Sequence, residues 1–167
     1  MSRTGTKSLT EALNGLGYKS LHYPRTFHFK RGRIVIKPRI FKCFDALTDT
    51  PIALDFMELD RRFPDSRFIY TVRSMDSWLA SCERFFRPNR QWRDAETELH
   101  RQLYGTNVFD RGLFTEAYQR HHHRVMSNFN SCPEQLLVLN ICGGEGWPQL
   151  CQFLDKPVPA RTFPRKV

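Results

Sequence analysis

No apolar run in this chain approaches the ~20 residues that a membrane-spanning helix needs, and no apolar segment of the signal-peptide kind opens it. The expectation is therefore a cytoplasmic protein with no membrane span. Cysteine is sparse and without pattern: Cys43, Cys82, Cys132, Cys142 and Cys151 are odd in number, and no two form a C-x-x-C pair. Such spacing argues against a disulfide frame and against a zinc site, and for reduced thiols. Internal repeats and low-complexity stretches are absent. So is a contiguous Gly-Lys-Ser/Thr, which excludes the standard nucleotide-triphosphatase loop. Acidic residues are scarce at one end, where residues 1–45 hold only Glu11 and Asp45 against ten Lys/Arg.

What remains is a 167-residue chain, 40% hydrophobic and 13% aromatic, long enough to bury a core as one domain spanning 1–167. Its formal net charge of +9 is concentrated in the first 45 residues; the rest is nearly neutral. A local positive field of that kind attracts a polyanionic small molecule or an acidic polymer.

The stretch Ser2-Arg3-Thr4-Gly5-Thr6-Lys7-Ser8-Leu9 surrounds one glycine with hydroxyls and cations. Leu9, Ala12, Leu13 and Leu16 then recur at helical spacing, with Gly17 placed to end the helix. A glycine turn feeding a helix N-terminus offers backbone N–H groups and the positive dipole end to an anion. The physical reading is a phosphate cradle; alone, the stretch reads equally as a capped surface helix.

Further along, Tyr18–Tyr23 reads as a short strand and Phe27–Lys37 as a basic hairpin turning at Arg31-Gly32. Ile40–Leu47 reads as a short helix. Thr50 is placed as an N-cap, with Pro51 opening a helix that ends before Pro64. Arg67–Val72 is the clearest strand, and Arg73 lies at its carboxyl end, where open α/β sheets bind ligands. Helices are expected from Ser74, over Asp94–Tyr104, over Leu113–Phe129 and over Trp147–Leu154. A second apolar strand spans Leu136–Ile141. Strands alternating with helices give an α/β fold with a parallel sheet covered on both faces.

Three blocks together resemble the sulfotransferases that use 3′-phosphoadenosine 5′-phosphosulfate (PAPS). They are the loop at Ser2–Leu9, the run Phe68–Arg73 with Ser81 eight residues beyond Arg73, and Leu136–Asn140 with Gly144-Glu145-Gly146-Trp147 and Phe163-Pro164. The resemblance implies the P-loop nucleoside-triphosphatase-like sulfotransferase fold, a three-layer sandwich about a central parallel sheet. It implies PAPS as sulfuryl donor with no metal required, and a small-molecule or glycan hydroxyl as acceptor. It assigns Arg3, Thr4, Gly5, Thr6, Lys7 and Ser8 to the 5′-phosphosulfate, with Arg3 also catalytic, and Arg73 and Ser81 to the 3′-phosphate. Arg73 with a forked donor and Ser81 two turns on could also converge on one phosphate by geometry. The bland alternative is a surface arginine beside a solvated serine.

The chain departs from the family pattern at Lys7, where a hydroxyl is usual, and at Ser8, where tryptophan often stacks on adenine. Trp78 or Trp147 could replace that contact, although a core role suits each better. Removal of the acceptor proton needs a base. Asp49 is preferred, with Asp55 and His22 as the other candidates, and either aspartate could instead serve the helix dipole. His121-His122-His123 reads as a solvated helix face, not a metal site, because adjacent histidines diverge. A cradle of this type normally follows a buried strand. Only Met1 precedes Ser2, so the central strand is expected to be missing, the loop to fray and a sheet edge to open. The alternatives to a PAPS-dependent sulfotransferase are an inactive truncated relative, a polyanion-binding module and a nucleotide kinase. Nucleic acid is not the expected partner, and oligomeric state is not legible.

Overall fold

The computed structural model describes residues 1–166. Its first helix, α1 (Thr6–Gly15), buries Leu9, Ala12 and Leu13 and stops where Gly17 takes a left-handed φ of 89°. Strand β1 (Ser20–His22) follows, and then the hairpin β2 (Phe27–Lys30) and β3 (Arg33–Ile36). Arg31 and Gly32 both have positive φ at its tip, the backbone that a two-residue hairpin turn demands.

The next segment differs from expectation. Helix α2 ends at Cys43 (Ile40–Cys43), and strand β4 (Ala46–Thr48) takes the residues expected to continue it. The cause is local: Phe44 is extended, and the Asp45 carboxylate accepts the Lys19 N–H at 2.7 Å while the Asp45 N–H donates to the Lys19 carbonyl. Those contacts start a parallel ladder with β1 that outweighs helical propensity.

Helix α3 (Thr50–Arg62) begins with Pro51 in its first turn, but Asp49, not Thr50, holds the N-cap position. Strand β5 (Phe68–Thr71) leads into α4 (Met75–Phe85), α5 (Asp94–Tyr104) and α6 (Arg111–Asn128). The last of these starts two residues early because the Asp110 carboxylate caps it, accepting the Leu113 N–H. Strand β6 (Leu136–Leu139) and α7 (Trp147–Leu154) complete the order.

The class is α/β, but the sheet is not continuous: β1 pairs in parallel with β4, and β5 with β6. Helices cover both faces of the β5–β6 pair. Ile69, Leu137 and Leu139 pack with Leu9 and Leu13 of α1 and Leu150 of α7. Phe68 and Tyr70 pack with Phe56 of α3 and with Val125 and Phe129 of α6. A third cluster joins α4, α5 and α6 through Trp78, Phe86, Tyr104 and Phe114. Among the described residues no helix is long and apolar enough to cross a membrane.

The triple histidine is corrected in part. His122 and His123 are exposed, whereas His121 is 5% exposed, edge-on to Phe56 and Tyr70. Burial first, and then nearby cations, push its pKa down to about 2; burial pushes His100, packed on Trp92 and Phe86, down to about 4. Both histidines stay neutral in the folded state while the unfolded chain protonates them below pH ~6.5. Stability is therefore fully present above that pH and falls as pH drops, by about 1.4 kcal/mol per unit for each histidine. Asp55, raised to about 6 by burial and the Glu58 charge, opposes this modestly. Urea unfolding at pH 5.5 should give about 2 kcal/mol less stability than at pH 7.5, and His121→Phe should remove well over half of that difference. A pH-independent midpoint would contradict the burial of these rings.

Candidate active site

Four parallel strands deliver their carboxyl ends to one place, the loop before α1. His22 closes β1, Asp49 follows β4, Thr71 and Arg73 follow β5, and Ile141 follows β6. All of them meet residues of this loop, directly or through a neighbour. This is the edge at which open α/β sheets bind ligands.

The loop does not fray; it is pinned from inside. The Ser2 hydroxyl and N–H both reach the Tyr104 hydroxyl, at 2.8 and 3.2 Å, and the Ser2 carbonyl accepts from the Trp78 ring N–H at 3.0 Å. The Thr4 hydroxyl donates to the Met1 carbonyl at 2.7 Å and lies 2.6 Å from the Thr71 hydroxyl. Ser2 and Thr4 are thus buried, while Arg3 and Gly5 between and beyond them stay partly exposed. The turn requires left-handed backbone at Arg3 (φ 66°) and Gly5 (φ 94°), and a Cβ on Gly5 would sit 3.1 Å from the Ile141 side chain. A glycine is needed at position 5 on both counts. No acidic residue in the first turn of α1 neutralises the helix dipole.

Arg73 and Arg3 share one cluster, with partners other than those implied by spacing alone. The Arg73 backbone is clamped by Tyr118, whose hydroxyl donates to the Arg73 carbonyl at 2.7 Å and receives its N–H at 3.2 Å. The Arg73 Nε donates to Ser77 at 2.8 Å and one terminal nitrogen donates to the Arg3 carbonyl at 3.2 Å. Ser81 instead accepts from the Arg3 Nε at 3.0 Å, and the Arg3 guanidinium lies over the Phe85 ring. The structure therefore brings Arg3, Arg73 and Ser81 together and adds Ser77, which the eight-residue spacing does not reveal. An i, i+4 relation to Arg73 at the start of α4 is the signal that would have found it. Beside this cluster, Arg90 stacks on Phe85 and Trp92, at 3.8 and 4.4 Å from their centroids.

On the other side of the loop, His22 Nε2 lies 3.0 Å from Asp49 Oδ2 and 3.2 Å from the Thr6 hydroxyl. A carboxylate at that distance fixes the proton on Nε2, so Nδ1 carries the lone pair when the ring is neutral. Burial alone would raise the Asp49 pKa. The His22 hydrogen bond and charge, a nearby amine and the Thr50 hydroxyl at 2.9 Å overturn that and hold it below the ordinary range. Asp49 adopts φ 80° and ψ −164°, a backbone almost reserved for glycine.

Asp55 is not drawn into this arrangement; it shares a face of α3 with Glu58 and Arg62, and among the described residues it forms no hydrogen bond or ion pair with the loop. Lys7 is exposed on the first turn of α1. The buried Ser8 hydroxyl accepts the Lys166 N–H at 2.8 Å, which ties the C-terminal segment across α1 and closes Ser8 to stacking roles. Trp78 and Trp147 are both core residues, with ring N–H groups committed to Ser2 and Arg161.

The family model described as a sulfotransferase domain matches residues 1–167. The chain belongs to the sulfotransferase-domain family. This sulfotransferase-family chain is also similar to the Ava biosynthesis cluster protein M of Aspergillus versicolor, with 28% identity over 204 residues covering 98% of this chain and 77% of that protein.

Proposed function

We propose that this sulfotransferase-family chain moves a sulfuryl group from PAPS to the hydroxyl of a small-molecule or glycan acceptor, as a single α/β domain. The observation that carries the reading is the convergence of Arg3, Arg73, Ser77 and Ser81 beside a left-handed glycine at the N-terminus of α1. Those donors suit a dianion, and the tight backbone at Gly5 suits close approach of one.

PAPS, when bound, supplies the sulfuryl group and a phosphate leaving group. Arg3, the backbone amides from Gly5 to Ser8 and the Thr6 hydroxyl would hold the phosphosulfate, with Lys7 adding a cation. Thr4, whose hydroxyl is turned inward, would shape the loop instead. Arg73 with Ser77 and Ser81 would hold the 3′-phosphate, and Arg3 would stabilise charge on the leaving oxygen. His22 would take the acceptor proton on Nδ1, and Asp49 would orient the ring and stabilise it once protonated. Asp55 has no part in this scheme. The half-buried rings of Phe85 and Trp92 lie nearest the arginines and suit an adenine or an aromatic acceptor.

Calorimetric titration with the product 3′,5′-bisphosphate (PAP) and with AMP tests the reading. The folded wild type should bind PAP at micromolar levels and AMP much more weakly. Arg73→Ala should weaken PAP by roughly 10- to 100-fold, the loss of a charge-assisted hydrogen bond, and leave AMP nearly unchanged. Absence of PAP binding, or equal weakening of both ligands, would sink the assignment.

A further inference from the structure

Arg90 belongs to none of the donor groups placed so far. It lies in the segment 86–93 that joins α4 to α5, where its N–H donates to the Arg87 carbonyl at 3.0 Å. Its guanidinium lies over two rings at once, 3.8 Å from the Phe85 centroid and 4.4 Å from the Trp92 centroid. Both rings are fixed from behind. Trp92 donates its ring N–H to the Asn107 carbonyl at 3.0 Å and packs edge-on to the buried His100 at 4.3 Å. Phe85 packs edge-on to the fully buried Phe86. Stacking of this kind holds a guanidinium in one plane and turns its N–H edge toward any planar anion that arrives. The charge is exposed and unanswered. Among the described residues its hydrogen bond is a long one, 3.4 Å to the Phe85 carbonyl, and no carboxylate comes within 4.0 Å of it. Glu96, whose charge Arg90 feels, is turned to the start of α5, where it accepts the Arg93 N–H at 3.2 Å. Burial and then the like charge of Arg3 press the Arg90 pKa below the usual arginine value, so an anion at the fork relieves a repulsion.

The place of this fork is as specific as its geometry. Arg90 feels Arg3 on one side, and Tyr23 and Glu96 on the other. Tyr23 directly follows His22, and the Asp49 charge reaches its hydroxyl. Arg90 thus stands between the cluster assigned to the donor and the pair assigned to the acceptor proton. We propose that Arg90 anchors the acceptor, and that the acceptor is a hydroxyl compound bearing a carboxylate. The proposal rests on the sulfuryl-transfer reading and narrows its substrate. In the transfer the acceptor oxygen bonds to sulfur, the S–O bond to the leaving phosphate breaks, and the hydroxyl proton passes to His22 Nδ1. The carboxylate takes no part in those steps and serves as a handle. Brought beside the charges of PAPS it is repelled, unless a cation outside the donor set answers it. Arg90 is such a cation, and its planar fork matches a carboxylate with two parallel hydrogen bonds. With the guanidinium over both rings, the platform offers a ligand that fork more than a bare aromatic face, which favours an acceptor's anion over adenine.

Calorimetry on the protein saturated with PAP tests this, with 3-(4-hydroxyphenyl)propionate and its methyl ester as probes. The wild type should bind the acid about tenfold or more tightly than the ester, the gain from a charge-assisted fork. Arg90→Gln should bring that ratio to about one. Arg90→Lys keeps the charge and loses the fork, and should fall between the two. Equal binding of acid and ester by the wild type overturns the proposal, as does an Arg90→Gln variant that keeps the preference. So does an Arg90→Gln variant that binds PAP itself about tenfold more weakly, which would give Arg90 to the 3′-phosphate. The PAP titration that precedes each run separates the two readings. No PAP binding removes the sulfuryl-transfer assignment and this proposal with it, whereas PAP binding without an acid preference removes only the carboxylate.

Discussion

Trp78→Ala is expected to leave little folded protein at 25 °C. The ring is fully buried, 4.7 Å by centroid from Tyr118 and 5.8 Å from Phe114, and belongs to the cluster that binds α4, α5 and α6 together. Deleting a buried tryptophan side chain costs about 3–5 kcal/mol through lost transfer energy and the cavity left behind. A second term adds to this, because the ring N–H is the hydrogen-bond donor to the buried Ser2 carbonyl, and stranding that acceptor costs about 1–3 kcal/mol. The sum approaches the whole stability of an ordinary domain, about 5–15 kcal/mol. Trp78→Phe separates the two terms, since it keeps most of the ring volume and loses the donor. Urea unfolding should place it about 2–3 kcal/mol below wild type. Because Ser2 anchors the loop, that variant should also bind PAP more weakly despite touching no anion-binding side chain. An alanine variant within about 1 kcal/mol of wild type would show that the cluster tolerates the hole, contrary to its packing.

Much of this arrangement was legible in the sequence. Helix α5 and helix α7 fall on the residues where periodicity and their flanking glycine and proline signals place them, and the β2–β3 hairpin turns at Arg31-Gly32, where the glycine takes one of the two positive φ angles without steric cost. The loop before α1 was legible as a chemical pattern, one glycine among cations and hydroxyls. Its division of labour was not. Alternation turns Ser2 and Thr4 inward to Tyr104 and Thr71, a fact set by residues about 100 and 67 positions away that no local pattern reports. Strand β4 was hidden for the same reason: its parallel register to β1 is fixed by Lys19 and Asp45 across 26 residues, against a local helical preference. His121 was misplaced because adjacent histidines on a polar helix look solvated until α3 and β5 are packed over the first of them. The burial of Met1 in place of fraying was not legible; it depends on the aromatic cluster reaching the loop through Trp78.

The second large effect lies at the His22–Asp49 pair. His22→Ala should lower turnover of PAPS, followed by PAP release with phenol, butanol or glucose as acceptor, by about 10²- to 10⁴-fold, the usual contribution of a positioned base. The PAP dissociation constant should change by less than about threefold, because of the groups assigned to the anion only the Thr6 hydroxyl, 3.2 Å from His22 Nε2, touches the removed ring. Asp49→Gly distinguishes catalysis from architecture. Asp49 sits at φ 80° and ψ −164°, which strains any side-chain-bearing residue by about 1–3 kcal/mol, and glycine relieves that strain. The substitution also removes a carboxylate whose 3.0 Å contact with His22 is largely buried, an offsetting loss of similar size. Stability should therefore stay within about 1 kcal/mol of wild type while turnover falls at least tenfold, since the ring loses the carboxylate that orients it. A residue kept only to start α3 would show the opposite balance. If Asp49→Gly leaves turnover intact, the pair is architectural and the base must be sought elsewhere on the carboxyl edge. Strain retained at a carboxylate that glycine would hold more easily is what a functional role explains and helix capping does not, because the Asp49 side chain makes no cap hydrogen bond to α3.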